Sequence, residues 1–189
     1  MNSVQLDHTL RIRLPVVLFV ALVAAVATYY LSRAERDGVG YAPTQPVAFS
    51  HKLHAGTMQI DCKYCHTGVT ASPHATVPPV STCMNCHTVA RKTRPEILKL
   101  ARYYDKGIAL PWKRVHKIPD YAYFNHSVHV NKGVDCSHCH GQVQNMDVVA
   151  QVAEFTMTSC LSCHRNATQI LVGVPGVQKG PDNCGACHR

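Results

Sequence analysis

Every cysteine in this chain belongs to one short pattern, Cys-x-x-Cys-His, which occurs five times. Two thiols at this spacing can add to the two vinyl groups of one porphyrin, and the following histidine is then held under the iron as its proximal ligand. The copies, called motifs 1 to 5 in chain order, predict five covalently bound c-type haems (haem c, iron). The predicted attachment thiols are Cys62, Cys65, Cys83, Cys86, Cys136, Cys139, Cys160, Cys163, Cys184 and Cys187, and the predicted proximal ligands are His66, His87, His140, His164 and His188.

Zinc and disulfides are the competing interpretations of paired cysteines. Zinc ribbons and redox dithiols also use Cys-x-x-Cys, but zinc needs pairs combined into four-ligand sites, with no histidine required after each pair. A disulfide between cysteines three residues apart is strained and leaves the histidines unexplained. Five copies that use all ten cysteines therefore favour haem.

The composition supports a core made of haem rather than of side chains. Residues 33–189 provide roughly 31 residues per predicted haem, too few for an ordinary hydrophobic core. We expect a mostly irregular and α-helical, haem-cored fold with little sheet. The formal charge is +8, but the propionates of five haems add roughly ten negative charges, and the basic residues are scattered, so we expect no nucleic-acid partner.

An internal repeat divides the exported region. Phe124-Asn125-His126-Ser127-Val128-His129 echoes Phe49-Ser50-His51-Lys52-Leu53-His54 at an offset of 75 residues, and each copy precedes two motifs. Repeated supersecondary units have such signatures. We predict a first haem module at 49–110 with two motifs and a second at 111–189 with three. Between motifs 2 and 3 the pattern predicts one amphipathic helix within 91–104 that ends near Gly107, and the prolines in 67–82 predict a loop.

The repeated histidine pairs are the predicted second axial ligands. An electron-transfer haem usually has a protein ligand opposite the proximal histidine. His51 and His54, and likewise His126 and His129, are three residues apart, so on a helical turn each pair can serve two different irons. His138, inside motif 3, is expected to face solvent.

One iron then lacks a distal ligand. His116, between the modules, is the predicted fifth distal ligand. His74, Met157 and Met146 are the alternatives, and a thioether ligand would raise the haem potential. These methionines could instead pack against porphyrin.

The Phe-x-His-x-x-His stretch followed by Cys-x-x-Cys-His resembles the class III multihaem cytochromes of the c3/c7 type. With one apolar N-terminal segment and the joint Trp112-Lys113-Arg114-Val115-His116, the layout resembles the pentahaem cytochrome subunit of alternative complex III, a quinol:electron-acceptor oxidoreductase. It also resembles the cytochrome of the quinone reductase complex of sulfate reducers, which carries one more haem site.

The resemblance implies partners and a role. The implied partners are an iron–sulfur subunit related to molybdopterin oxidoreductases, polytopic quinol-binding subunits and a monohaem cytochrome c. The chain would pass electrons from quinol oxidation to a cytochrome c or terminal oxidase, and would not be an enzyme on its own. The rivals are a subunit of another respiratory complex (a quinone reductase, or a sulfur- or nitrogen-compound reductase) and a free c7-like carrier.

The N-terminal segment predicts a membrane anchor. Leu14 to Leu31 holds eighteen residues without charge, long enough to span a bilayer, and Tyr29 and Tyr30 suit the interface. A cleaved signal peptide is the alternative, because Ala25-Val26-Ala27 resembles a cleavage site. We predict a cytoplasmic N-terminus at 1–13, an anchor at 14–32 and a linker at 33–48. Because c-type haem is attached outside the bacterial inner membrane, we expect one span with the haem region on the periplasmic side.

Overall fold

The computed structural model describes residues 9–36 and 38–188. Most of the predicted cytoplasmic N-terminus, residues 1–8 with His8, lies outside the described residues. The chain divides into two compact units, residues 1–38 and 39–189.

The first unit is one long apolar helix. A π-helical turn, Thr9–Arg13, leads into α1, Leu14–Arg36. The large apolar side chains between Leu10 and Leu31 are exposed on all sides of the helix. The span Leu10–Leu31, 22 residues, is long and apolar enough to cross a membrane. A signal sequence near an N-terminus has the same length and composition, so the helix fits either role.

The second unit consists of short helices joined by irregular segments, and no strand occurs among the described residues. The expectation of a helical and irregular fold is thus confirmed. The α-helices are α2 Cys62–Cys65, α3 Val80–His87, α4 Pro95–Asp105, α5 His126–Asn131, α6 Ser137–His140, α7 Met157–Ile170 and α8 Cys184–Cys187. A π-helical turn at Lys52–Thr57 and 3-10 turns at Thr67–Thr70 and Val143–Asn145 complete them.

The helix predicted between motifs 2 and 3 is α4. Proline suits its first turn, since that position has no backbone hydrogen bond to lose, and the helix ends before Gly107, whose φ of +64° L-residues rarely adopt. Its buried residue is Leu100. The loop predicted at 67–82 is only partly present: Thr67–Thr70 forms a 3-10 turn and α3 begins at Val80. Pro79 precedes the first residue of α3 and so interrupts no helical hydrogen bond.

Side chains fill little of the interior. One small cluster joins Val47, Val80, Met84, Leu100 and Leu110, with Trp112 packed against it. No large side chain among the described residues is fully buried. Protein interiors are normally densely packed. The described side chains therefore form only a small apolar core of their own.

The two halves of this unit are interlocked rather than separate. Gly40 N donates to Gln151 O at 2.8 Å, and Lys52 N donates to Met146 O at 2.9 Å. The Lys52–Thr57 turn packs so closely on the second half that a Cβ on Gly56 would overlap Gln144 O. The boundary predicted at residue 110 stays a prediction.

Replacing Gly56 with alanine tests this close packing. The added methyl group would force backbone apart, and we expect the free energy of unfolding to fall by about 1–3 kcal/mol, as in overpacked cores. Thermal unfolding of the holoprotein in detergent measures this. Gly185→Ala is the matched control, because the nearest atom to its new Cβ is 3.8 Å away. Equal stability of the two variants would contradict the close approach.

Candidate functional site

Each Cys-x-x-Cys-His motif forms a helical turn. In motifs 1, 3 and 5 the histidine N–H donates to the carbonyl of the first cysteine at 2.9 Å. The turns of motifs 1 and 3 are started by carboxylates: Asp61 accepts from Lys63 N at 2.7 Å, and Asp135 accepts from Ser137 N at 2.8 Å. The hydrogen bonds from Ser137 lower the pKa of Asp135. On such a turn residues three apart share a face, which directs both thiols to one side. All ten cysteines are free of disulfides.

Four proximal histidines are oriented by backbone carbonyls. Nδ1 of His66 lies 2.7 Å from Thr76 O, Nδ1 of His87 lies 3.0 Å from Ala90 O, Nδ1 of His164 lies 2.6 Å from Pro181 O, and Nδ1 of His188 lies 3.0 Å from Tyr121 O. Donation from Nδ1 fixes the tautomer and leaves the lone pair of Nε2 for a metal.

His140 is held differently. Its ring contacts the His116 ring edge-on at a centroid distance of 4.3 Å. Burial, and after it His116, His126 and His66, lower its pKa to about 4. The neutral imidazole that a metal requires is therefore favoured at this position.

Three predicted distal histidines face three proximal histidines. In each pair the two rings are as far apart as expected if one metal ion lay between them. The ring centroids are 6.2 Å apart for His54 and His87, 6.3 Å for His126 and His140, and 6.0 Å for His129 and His164. Two imidazoles bound to opposite sides of one metal should be roughly 6 Å apart, from a metal–nitrogen bond of about 2 Å and about 1 Å from nitrogen to ring centre on each side. This spacing fits one iron between each pair.

The distal histidines are held alike in both copies of the repeat. Nδ1 of His54 lies 2.9 Å from Ser50 O, and Nδ1 of His129 lies 2.8 Å from Asn125 O. Phe49 stacks on His54 at 4.3 Å, and Phe124 stacks on His129 at 4.6 Å.

The same phenylalanines also meet the first histidine of each pair edge-on, both at 4.8 Å. Each phenylalanine therefore packs against both imidazoles of its pair and restricts their orientation. Sequence reasoning noted these phenylalanines only as part of a repeat, and their position before the histidines was the signal of this role.

His51 is the predicted distal ligand that lies near His66. Burial, and after it His66 and His54, lower the pKa of His51 to about 4. Its Nδ1 is buried without a hydrogen-bond partner. Its counterpart His126 has its Nδ1 2.7 Å from Pro73 O. The structure thus brings every repeat histidine close to a proximal one.

The ligand of the fifth iron stays a prediction. Nε2 of His116 is buried without a partner, and burial lowers the pKa of His116. Its 4.3 Å separation from His140 leaves no space for an iron between those two rings. No ring contact among the described residues joins His116 to His188, whose ring neighbour is Tyr121 at 5.9 Å.

The alternative ligands are less enclosed. His74 is exposed, Met157 is 66% exposed and Met146 is half-buried. His138 is exposed, as expected for a histidine inside a motif. Within the described part of the chain, no three side chains of His, Cys, Asp or Glu converge as a zinc site requires. The residues present therefore suit haem better than zinc.

Comparisons with known proteins agree with this chemistry. Residues 29–109 match the class III cytochrome c family, and residues 122–189 match cytochrome c7 and related cytochromes c. The chain is similar to the multihaem cytochrome c subunit of menaquinone reductase from Nitratidesulfovibrio vulgaris, with 26% identity over 166 residues that cover 77% of each chain.

Replacing His129 with alanine tests the paired ligands. One iron should lose its sixth ligand and admit water, so one haem should become high-spin and stability should fall, because ligation is coupled to folding. Electron paramagnetic resonance (EPR) and optical spectra measure this. The matched control is His138→Ala, an exposed histidine nine positions along the chain. His129→Met should restore a low-spin haem with a raised potential. A high-spin haem in the His138 variant alone would contradict the assignment.

Replacing His116 with alanine tests the fifth ligand. If its buried nitrogen binds iron, the variant should contain one new high-spin haem, whereas Met157→Ala should remain low-spin because that side chain is exposed. A wholly low-spin His116 variant would show that His116 only supports His140. A high-spin Met157 variant would assign the thioether instead.

Proposed function

We propose that this multihaem cytochrome c of the class III and c7 kind carries five haems and serves as the electron-transfer subunit of a quinone-linked membrane complex. The single observation that carries the proposal is the spacing of three histidine pairs, 6.0–6.3 Å between ring centroids. Haem supplies one-electron chemistry when bound. Iron held between two histidines would have no open position for a substrate, which supports a role in electron transfer rather than as an enzyme on its own.

The residues of this chain perform three tasks in that role. The thiols attach the porphyrins, which keeps them in place through repeated turnover. The carbonyls that accept from Nδ1 hold each imidazole in one tautomer and orientation. The phenylalanines and the surrounding apolar side chains exclude water from the iron, which influences its potential.

Two directions of electron flow are compatible with such a subunit. Our first candidate is quinol oxidation in a complex of the alternative complex III kind, with electrons leaving to a cytochrome c or a terminal oxidase. It rests on the five motifs, the apolar N-terminal segment and the joint around Trp112. The second candidate is a quinone reductase, favoured by the 26% identity to the menaquinone reductase subunit.

We propose that α1 is retained as a single membrane anchor and that the haem region lies on the periplasmic side of a bacterial inner membrane. Length and exposed apolar surface support a span. In that position the haem region would meet an iron–sulfur subunit related to molybdopterin oxidoreductases, polytopic quinol-binding subunits and a monohaem cytochrome c.

The test is purification of the protein from native membranes with its co-migrating subunits. We expect detergent to be required for extraction, the intact chain to gain the mass of five haems, and added quinol to reduce these haems in a rapid-mixing experiment. A chain with fewer haems would contradict the haem count, and release without detergent would contradict the anchor. Haems that are oxidised by added quinone, yet never reduced by quinol, would favour the reductase.

A further inference from the structure

A haem site is a motif together with its predicted distal histidine, where one is assigned. Sites 1 to 4 pair motifs 1 to 4 with His51, His54, His126 and His129, and site 5 is motif 5. The sites are numbered in chain order, but sites with consecutive numbers need not be neighbours in space. The contacts among the motifs establish which sites adjoin.

Sites 1 and 2 are neighbours. Asn85, inside motif 2, donates from Nδ2 to the Tyr64 hydroxyl, inside motif 1, at 3.1 Å. The distal residues His51 and His54 lie three positions apart at the start of one π-helical turn. Motifs 1 and 2 are therefore in direct contact.

Site 1 also adjoins site 3, across the two halves of the unit. The loop after motif 1 provides two carbonyls within four residues: Thr76 O accepts from His66, and Pro73 O accepts from His126. Helix α5, which carries His126, packs against the 3-10 turn Thr67–Thr70, and Asn131 Nδ2 donates to Thr70 O at 2.9 Å.

Site 2 is the competing neighbour of site 3, because the turn Lys52–Thr57, which begins after His51 and bears His54, packs on the segment after motif 3. The contact that reaches a predicted ligand of site 3, however, comes from the loop after motif 1, where Pro73 O lies 2.7 Å from Nδ1 of His126.

Sites 3, 4 and 5 continue the row. His126 and His129 share the six-residue helix α5, so sites 3 and 4 are neighbours. Motif 5 is tied to motif 4 by the residues just before it. Pro181 O accepts from His164 Nδ1 at 2.6 Å, and Arg165 pairs with Asp182 at 3.3 Å.

The backbone at Gly180 also lies very close to the His164 ring. A Cβ on Gly180 would lie 2.6 Å from the His164 ring, so only glycine fits between motif 4 and the segment that leads to motif 5.

We infer that the five haem sites form one unbranched row in the order 2–1–3–4–5, so that sites 2 and 5 are its ends. The inference rests on the proposed haem attachment and adds the order of the sites. The row turns back at its start, because the chain passes from site 1 to site 2, whereas the loop after motif 1 provides the carbonyl that orients His126 of site 3. Sites 2 and 5 are consequently where electrons enter and leave.

Double variants of the full-length holoprotein test the order by EPR of the oxidised state. Replacing a distal histidine with alanine makes one iron high-spin, and two high-spin irons perturb each other magnetically only when close. His51→Ala with His126→Ala (sites 1 and 3) should give a signal broader and weaker than the sum of the single variants. Two other double variants should give signals equal to the sum of their single variants: His54→Ala with His126→Ala (sites 2 and 3) and His54→Ala with His129→Ala (sites 2 and 4).

The outcomes separate the order from the ligand assignment. Additive spectra for sites 1 and 3 together with non-additive spectra for sites 2 and 3 would overturn the proposed order in favour of the order along the chain. Single variants that show no high-spin iron would instead overturn the ligand pairs, and a low haem mass would overturn the haem count.

The methionine versions give a second measurement if the alanine double variants do not accumulate. Methionine keeps a ligand and raises the potential. Reduction of one haem makes reduction of an adjacent haem harder, so the midpoint shifts of His51→Met and His126→Met should not add in the double variant. Those of His54→Met and His129→Met should add. The opposite pattern would overturn the order.

The far end of the row is tested by removing haem 5 with the double substitution Cys184→Ser and Cys187→Ser. Spin relaxation of the high-spin iron should become slower in the His129→Ala background (site 4), which loses a paramagnetic neighbour, and remain unchanged in the His54→Ala background (site 2). A change at site 3, in the His126→Ala background, as large as that at site 4 would show a branch from site 3 to site 5 and overturn the unbranched row.

Discussion

The hydrogen bond from a histidine Nδ1 to a backbone carbonyl is the interaction on which the rest of this structure depends. Seven of the predicted iron ligands have it: His54, His66, His87, His126, His129, His164 and His188. Each bond fixes a tautomer and leaves the lone pair of Nε2 for a metal. Each also requires a particular carbonyl at the right place, so the irregular segments between helices are as constrained as the helices themselves.

That requirement explains a fold with few buried side chains. The carbonyls that orient His126 and His188 come from residues 53 and 67 positions away in the chain. Loops must therefore cross the molecule to reach them, and regular sheet would use the same carbonyls for its own hydrogen bonds. Among the described residues, the sizeable side-chain cluster lies around Leu100 and Trp112, beside motif 2, where α4 provides an apolar face. Elsewhere the proposed porphyrins would provide the apolar interior.

The repeat seen in the sequence is also present in the three-dimensional structure. Phe49 and Phe124 contact their two histidines with nearly the same distances and ring angles, although the segments share only part of their sequence. What differs is the partner of the first histidine: His126 is bonded to the loop of the other half, whereas Nδ1 of His51 has no partner. The duplicated segment thus holds a pair of predicted ligands and, in the second copy, also joins the two halves.

The sequence alone was sufficient for the features that depend on local spacing: the attachment motifs, the paired histidines, α4 between Pro95 and Gly107, and an apolar helix of membrane length. It could not show that α3 begins as early as Val80, because three nearby prolines favour a loop on local grounds. Nor could it show which distal histidine faces which motif, or that His116 lies against His140. Those relations depend on carbonyls and rings brought together from distant parts of the chain, and only the packing of the loops decides them.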